Sequence, residues 1–197
     1  VHVAGLALGL FGGGLLVGLA LPDGQAGKIA AVAVFAVGML AMLGFSLAYN
    51  FAKATWRPRL RRLDHAGIFL MIAASYTPFT TQALSGAWAW GMTIAVWSVA
   101  LVGALGKLFL PGLDKRLWVG VYLALGWLVV VAIKPMLAGI SLAALILLLA
   151  GGLLYTTGVA FYVNKRLRFS RAIWHGHVVA GAATHWVAVL VGVVLAR

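Results

Sequence analysis

The chain has 197 residues, of which 64% are hydrophobic and 9% charged, far more apolar than the roughly half-apolar make-up of a soluble domain. Its formal net charge of +12 falls in short stretches between apolar runs rather than along one polar face, so membrane orientation accounts for it and a nucleic-acid partner is not indicated. With no cysteine, disulfides, thiolate metal ligands and a thiol nucleophile are excluded.

A hydrocarbon core of about 30 Å needs about 20 helical residues, and on that ruler the chain divides into seven spans. They run from Val3 to Leu21, Ile29 to Asn50, His65 to Leu84, Trp88 to Phe109, Leu117 to Ile133, Met136 to Tyr162 and Ala172 to Leu195. The expected fold is therefore all-α, one seven-transmembrane helix bundle over residues 1–197 with no separate soluble domain. The chain starts at Val1 rather than Met, and further residues are expected ahead of it. No basic segment precedes the first apolar run, so no cleavable signal peptide is expected.

The first span carries Gly5, Gly9, Gly12, Gly13, Gly14 and Gly18, a pattern that lets helices approach closely. Between the second and third spans lie Lys53, Arg57, Arg59, Arg61 and Arg62. Lys107, Lys115 and Arg116 fall between the fourth and fifth, and Lys165, Arg166, Arg168 and Arg171 between the sixth and seventh. The opposite side has Lys28, Lys134 and Arg197. Basic short loops stay in the cytoplasm, so the N-terminus is expected inside and the C-terminus outside, in the plasma (inner) membrane. Pro22, Pro111 and Pro135 fall at expected span ends and Pro58 in the second loop. Pro78 lies within the third span, where a kink is expected.

Ionisable groups inside spans are costly, and each is a functional candidate. Asp64 and His65 begin the third span, and Arg171, His175, His177 and His185 occupy the seventh. Ser46 and Asn50 share a face of the second helix, as Arg171 and His175 share one of the seventh. Ser46, Asn50, Asp64, Arg171 and His175 thus lie at one depth on three helices, a candidate site. Simpler roles stand beside this one: Asp64 as a helix cap, Arg171 as a cytoplasmic anchor, Asn50 and Ser46 as bridges between helices, and His177 and His185 as packing residues. Asp23 and Asp114 are expected to be solvated turn residues.

Ser46-Leu47-Ala48-Tyr49-Asn50, Arg61-Arg62-Leu63-Asp64-His65-Ala66-Gly67-Ile68, Ser75-Tyr76-Thr77-Pro78-Phe79, Gly126-Trp127-Leu128 and Ile173-Trp174-His175 with His185-Trp186 resemble the bacterial hemolysin III branch of the progestin and adipoQ receptor family. The resemblance covers nearly the whole chain. It implies seven helices with a cytoplasmic N-terminus and a zinc ion held by three histidines, one on the second helix and two on the seventh. It also implies a serine and an aspartate placing a zinc-bound water.

Ser46, Asp64 and His175 match that pattern, but Asn50 and Arg171 stand where two of the three histidines belong. An amide is a poor zinc ligand and a guanidinium has no lone pair to give. No cofactor is expected, with zinc bound only if the family site survives. An Asp64–Arg171 ion pair is expected in the metal's stead. Three readings follow: a non-catalytic lipid-binding or receptor-like protein, which is preferred; a zinc-dependent hydrolase of membrane lipid amides such as ceramide; and a pore-forming haemolysin. A membrane lipid is the expected partner, and the oligomeric state is not legible.

Overall fold

The computed structural model describes every residue except Pro111, Lys165 and Arg197. The described residues form helices joined by short turns: α1 His2–Ala20, α2 Ala26–Asn50, α3 Arg57–Gln82, α4 Gly86–Phe109, α5 Lys115–Gly126, α6 Ile133–Gly139, α7 Leu142–Val163 and α8 Ser170–Val189. A 3₁₀ turn over Leu128–Ala132 links α5 to α6, and a π turn over Leu190–Val194 extends α8. Six stretches are long and apolar enough to cross a membrane: His2–Asp23, Ala26–Asn50, Gly86–Phe109, Lys115–Gly139, Leu142–Val163 and Ser170–Val194.

The remaining long helix, α3, is the most polar of them, and it is the one the others surround. It packs on α2 and α4 along its length and meets α5 and α8 as well. Phe69 and Phe79 are almost fully buried on it, as are Ala73 and Ala74. A helix facing protein on every side does not have to be apolar, because its hydroxyls can find partners there. Thr77 accepts from the Trp97 indole at 3.0 Å, and Thr93 donates to Thr80 at 2.8 Å. Pro78 lies inside this helix.

Small residues set the helix spacing. Gly5, Gly9 and Gly13, four apart on α1, are buried; a Cβ on Gly9 would strike Leu43 at 2.8 Å, and one on Gly13 would meet Ala36 at 3.3 Å. Gly12 lies under Trp186, whose indole donates to its carbonyl at 2.8 Å. Gly14 and Gly18 face open space. Between α7 and α8 the fit is reciprocal. His185 of α8 fills the space over Gly151, Tyr155 of α7 fills that over Gly181, and His177 with Trp174 fills that over Gly158.

Several boundaries differ from the sequence reading. α3 starts at Arg57, eight residues early, because Pro58 at its start suits a first turn and the arginines after it are good helix formers. Asp64 is thus two turns inside the helix and caps nothing. The fifth apolar stretch continues to Gly139, not Ile133. Pro135 sits in the first turn of α6, where its missing N–H does no harm, and the stop comes at Ser141, which caps α7 by accepting from the Ala144 N–H at 3.3 Å. Lys134 consequently lies within that stretch. Asp23 is an exposed turn residue as expected, and it also forms an ion pair with the buried Lys28 at 2.8 Å. Asp114 caps α5 by accepting from the Arg116 N–H at 3.0 Å. Pro111, Lys165 and Arg197 lie outside the described residues.

The break after α5 exposes backbone groups in an apolar setting, where they must be satisfied internally. Tyr76 of α3 does this. Its hydroxyl lies 3.1 Å from the Leu125 carbonyl and 2.9 Å from that of Gly126, to which it donates, and it accepts from the Val129 N–H at 2.9 Å.

Candidate functional site

The C-terminal ends of α2, α4 and α7 and the N-terminal ends of α1, α3, α5 and α8 meet at one end of the bundle. Arg62 donates to the Leu108 carbonyl at 3.1 Å, Lys115 to that of Tyr162 at 3.0 Å and Tyr122 to that of His65 at 2.9 Å. Ser46, Asn50, Asp64, Arg171 and His175 lie here.

Ser46 is buried on the inward face of α2. Its hydroxyl interacts with the Asp64 carboxyl of α3 and lies 3.4 Å from Nδ1 of His2 on α1. The His2 ring in turn packs edge-on against His175 of α8, with centroids 4.4 Å apart. Ser46, Asp64 and His175 are therefore brought together, with His2 as the link. The sequence reading passed over His2 because it precedes the first apolar run. Its signal was available: an N-terminus on the same side as Ser46 and His175 puts His2 at their depth.

Asn50 and Arg171 behave differently. The Asn50 amide turns back along its own helix and donates to the Ser46 carbonyl at 2.8 Å. Arg171 lies exposed in the first turn of α8, entered through Phe169 in a left-handed conformation (φ 61°). It acts on His175. The expected ion pair with Asp64 is not formed: the ion pair among the described residues is Lys28–Asp23, and the cation acting on Asp64 is Arg61, one turn before it on α3. An exposed guanidinium keeps its hydration and gains little by turning inward.

Among the described residues, no three His, Cys, Asp or Glu side chains come close enough to hold a metal ion. His177 and His185 are occupied otherwise. His177 Nδ1 lies 2.9 Å from the Ile173 carbonyl, with its ring against Phe161, and His185 Nε2 lies 3.3 Å from the Leu148 carbonyl.

Beside this cluster an apolar cavity of about 110 Å³ opens between α2, α3, α5, α7 and α8. Met42, Met71, Ile72, Tyr122, Trp127 and Tyr162 are among its walls. It runs from the level of Trp174, next to His175, to the level of His185, eleven residues or about 16 Å along α8.

These features define a class: a helical, multi-pass membrane protein with a buried polar cluster at one end of the bundle and an apolar cavity beside it. The model of the family described as haemolysin-III related matches residues 1–186, and the chain belongs to that family. It is 37% identical over 168 residues to the hemolysin-3 homolog of Bacillus subtilis (strain 168), covering 85% of this chain and 79% of that one. Against hemolysin-3 of Bacillus cereus it is 34% identical over 171 residues, 85% and 77% of the two chains. The human monocyte to macrophage differentiation factor, a member of the progestin and adipoQ receptor family, is 27% identical over 165 residues, 79% of this chain and 67% of that protein.

Proposed function

We propose that this chain is a non-catalytic, lipid-binding or receptor-like member of its family, a seven-span protein of the plasma (inner) membrane whose former zinc pocket is closed by its own side chains. The observation that carries the reading is the donor set. Asn50 is turned to its own helix and Arg171 is a cation facing outward, so the family's three-histidine arrangement is reduced to His175, with His2 as its imidazole neighbour. Two imidazoles are short of the three protein ligands that a catalytic zinc needs, and Asp64 does not come close enough to them to complete the set. The apolar cavity beside the pocket suits a lipid chain.

In this reading the seventh span is α3: its 26 residues, about 39 Å long, and its packing on both α2 and α4 support a crossing alongside them. Seven crossings put the termini on opposite faces. The basic residues at the α2–α3, α4–α5 and α7–α8 ends support a cytoplasmic N-terminus and an external C-terminus.

The test is a reconstitution. In liposomes carrying a fluorescent ceramide and a trapped dye, the purified protein is expected to release neither fatty acid nor dye. Fatty acid release abolished by a chelator would overturn the reading in favour of a zinc hydrolase. Release of dye alone would overturn it in favour of a pore.

A further inference from the structure

The first two turns of α3 break a local rule. The N-terminal end of a helix is its positive pole, where carboxylates stabilise and cations destabilise. α3 opens with Arg57, Arg59, Arg61 and Arg62, and it has neither an acidic residue in its first turn nor a side-chain cap. Arg57 and Arg61, four apart, also repel each other along one face. The positive-inside tendency explains why basic residues lie at this end of the bundle, but it is indifferent to which side of a turn they occupy. Helix electrostatics would place them in the last turns of the helices that end here, yet α2 and α7 have no basic residue there. An anion from outside the chain removes the conflict.

Three cations at the α2–α3 turn are free to meet one. Arg62 is committed to the Leu108 carbonyl, and Arg61 acts on Asp64. Lys53, Arg57 and Arg59 are exposed, and none of them forms an ion pair among the described residues. The Arg57 guanidinium stands 5.7 Å from the Tyr49 ring centroid, and that of Arg59 stands 5.5 Å from that of Trp56. A ring on one face steadies a guanidinium and leaves the N–H groups at its edge, which match a phosphate in pairs. Exposed Phe51 and Trp56 flank the group, as aromatic side chains do at the level of lipid headgroups. Arg57 to Arg62 covers about 8 Å of helix axis, close to the depth of one headgroup layer, about 5–8 Å.

We infer that the α2–α3 turn is a binding site for the phosphate of an anionic phospholipid, held from outside the bundle by Lys53, Arg57 and Arg59. Basic clusters beside a membrane span suit such headgroups. Resting on the orientation proposed above, the lipid belongs to the cytoplasmic leaflet. The site is separate from the cavity between the helices and holds whether or not that cavity is filled.

The test is thermal unfolding of the whole chain in nanodiscs of phosphatidylcholine alone and of equal parts phosphatidylcholine and phosphatidylglycerol. Nanodiscs present both faces to the same lipids, so an inverted topology leaves the result unchanged. Phosphatidylglycerol is expected to raise the midpoint by about 5 °C. Arg57→Gln with Arg59→Gln should abolish that rise. In phosphatidylcholine alone the same variant should match or exceed the unmodified chain, because its helix end carries less positive charge. Arg166→Gln with Arg168→Gln, which removes the same charge from the α7–α8 turn, should keep the rise.

An equal rise without Arg57 and Arg59, or an equal loss without Arg166 and Arg168, would overturn the site in favour of diffuse attraction. No rise in the unmodified chain would overturn it outright. Lower stability of the Arg57→Gln, Arg59→Gln variant in phosphatidylcholine would show these arginines to be structural and overturn it as well. An equal rise from inorganic phosphate in phosphatidylcholine would identify a free-anion site, and a rise from polyglutamate alone an acidic protein partner. Either overturns the lipid assignment.

Discussion

Two tyrosines on this scaffold carry opposite burdens. The Tyr76 hydroxyl serves three backbone groups at the break after α5, whereas the buried Tyr155 hydroxyl has no hydrogen-bond partner among the described residues. Removing a used hydroxyl strands its partners, while removing an unused one strands nothing. Tyr76→Phe is therefore expected to cost about 1–3 kcal/mol and Tyr155→Phe to be neutral or stabilising, measured by thermal unfolding in detergent. A larger loss for Tyr155→Phe would contradict the packing described. The polar cluster gives a second expectation. Asp64→Asn and Arg171→Gln should be additive within about 0.5 kcal/mol, because the two groups do not pair, whereas Asp64→Asn and Ser46→Ala should couple by more than that. Coupling of Asp64 to Arg171 instead would restore the ion pair that the sequence suggested. That expectation failed for a physical reason. Shared depth on two helices does not fix the direction of a long, exposed side chain, and the short Ser46 and the ring of His2 reach the centre of the cluster first.

Helix packing was partly legible. The glycine repeat at Gly5, Gly9 and Gly13 indicated a close approach, and α1 uses it against α2 and α8. The repeat could not say which glycines face neighbours, since Gly14 and Gly18, equally conspicuous, face open space. Gly103 shows the same limit. Nothing around it in the sequence marks it, yet a Cβ there would run into the almost fully buried ring of Phe69. Gly103→Ala should cost about 1–3 kcal/mol by overpacking. Gly14→Ala, with room for the methyl group, should be neutral or stabilising by up to about 1 kcal/mol. Equal effects in a thermal-stability comparison would argue against this α3–α4 contact. The displaced boundary at Ser141 has a similar origin. Hydropathy sees Lys134-Pro135 as punctuation, but the backbone stops where a serine can cap the next helix.

For the molecule as a whole, apolar run lengths were enough to read an all-helical membrane protein, and the charge pattern proposes its orientation. Hydropathy ranks α3 last among the long helices because its first turns carry the exposed Arg57, Arg59, Arg61 and Arg62 and because its middle, buried among other helices, is relieved of facing lipid. A cysteine introduced at Arg59 should be protected from an impermeant thiol reagent in intact cells and one at Gln25 should react, since the two lie at opposite ends of α2 and α3; the reverse pattern would invert the topology.

The loss of the family's metal is the central claim, and zinc content tests it most directly. Protein purified without chelators should hold well below one zinc per chain, and restoring the two absent ligands with Asn50→His and Arg171→His should raise it to about one. About one zinc in the unmodified chain, lost on substituting His175→Ala, would contradict the account.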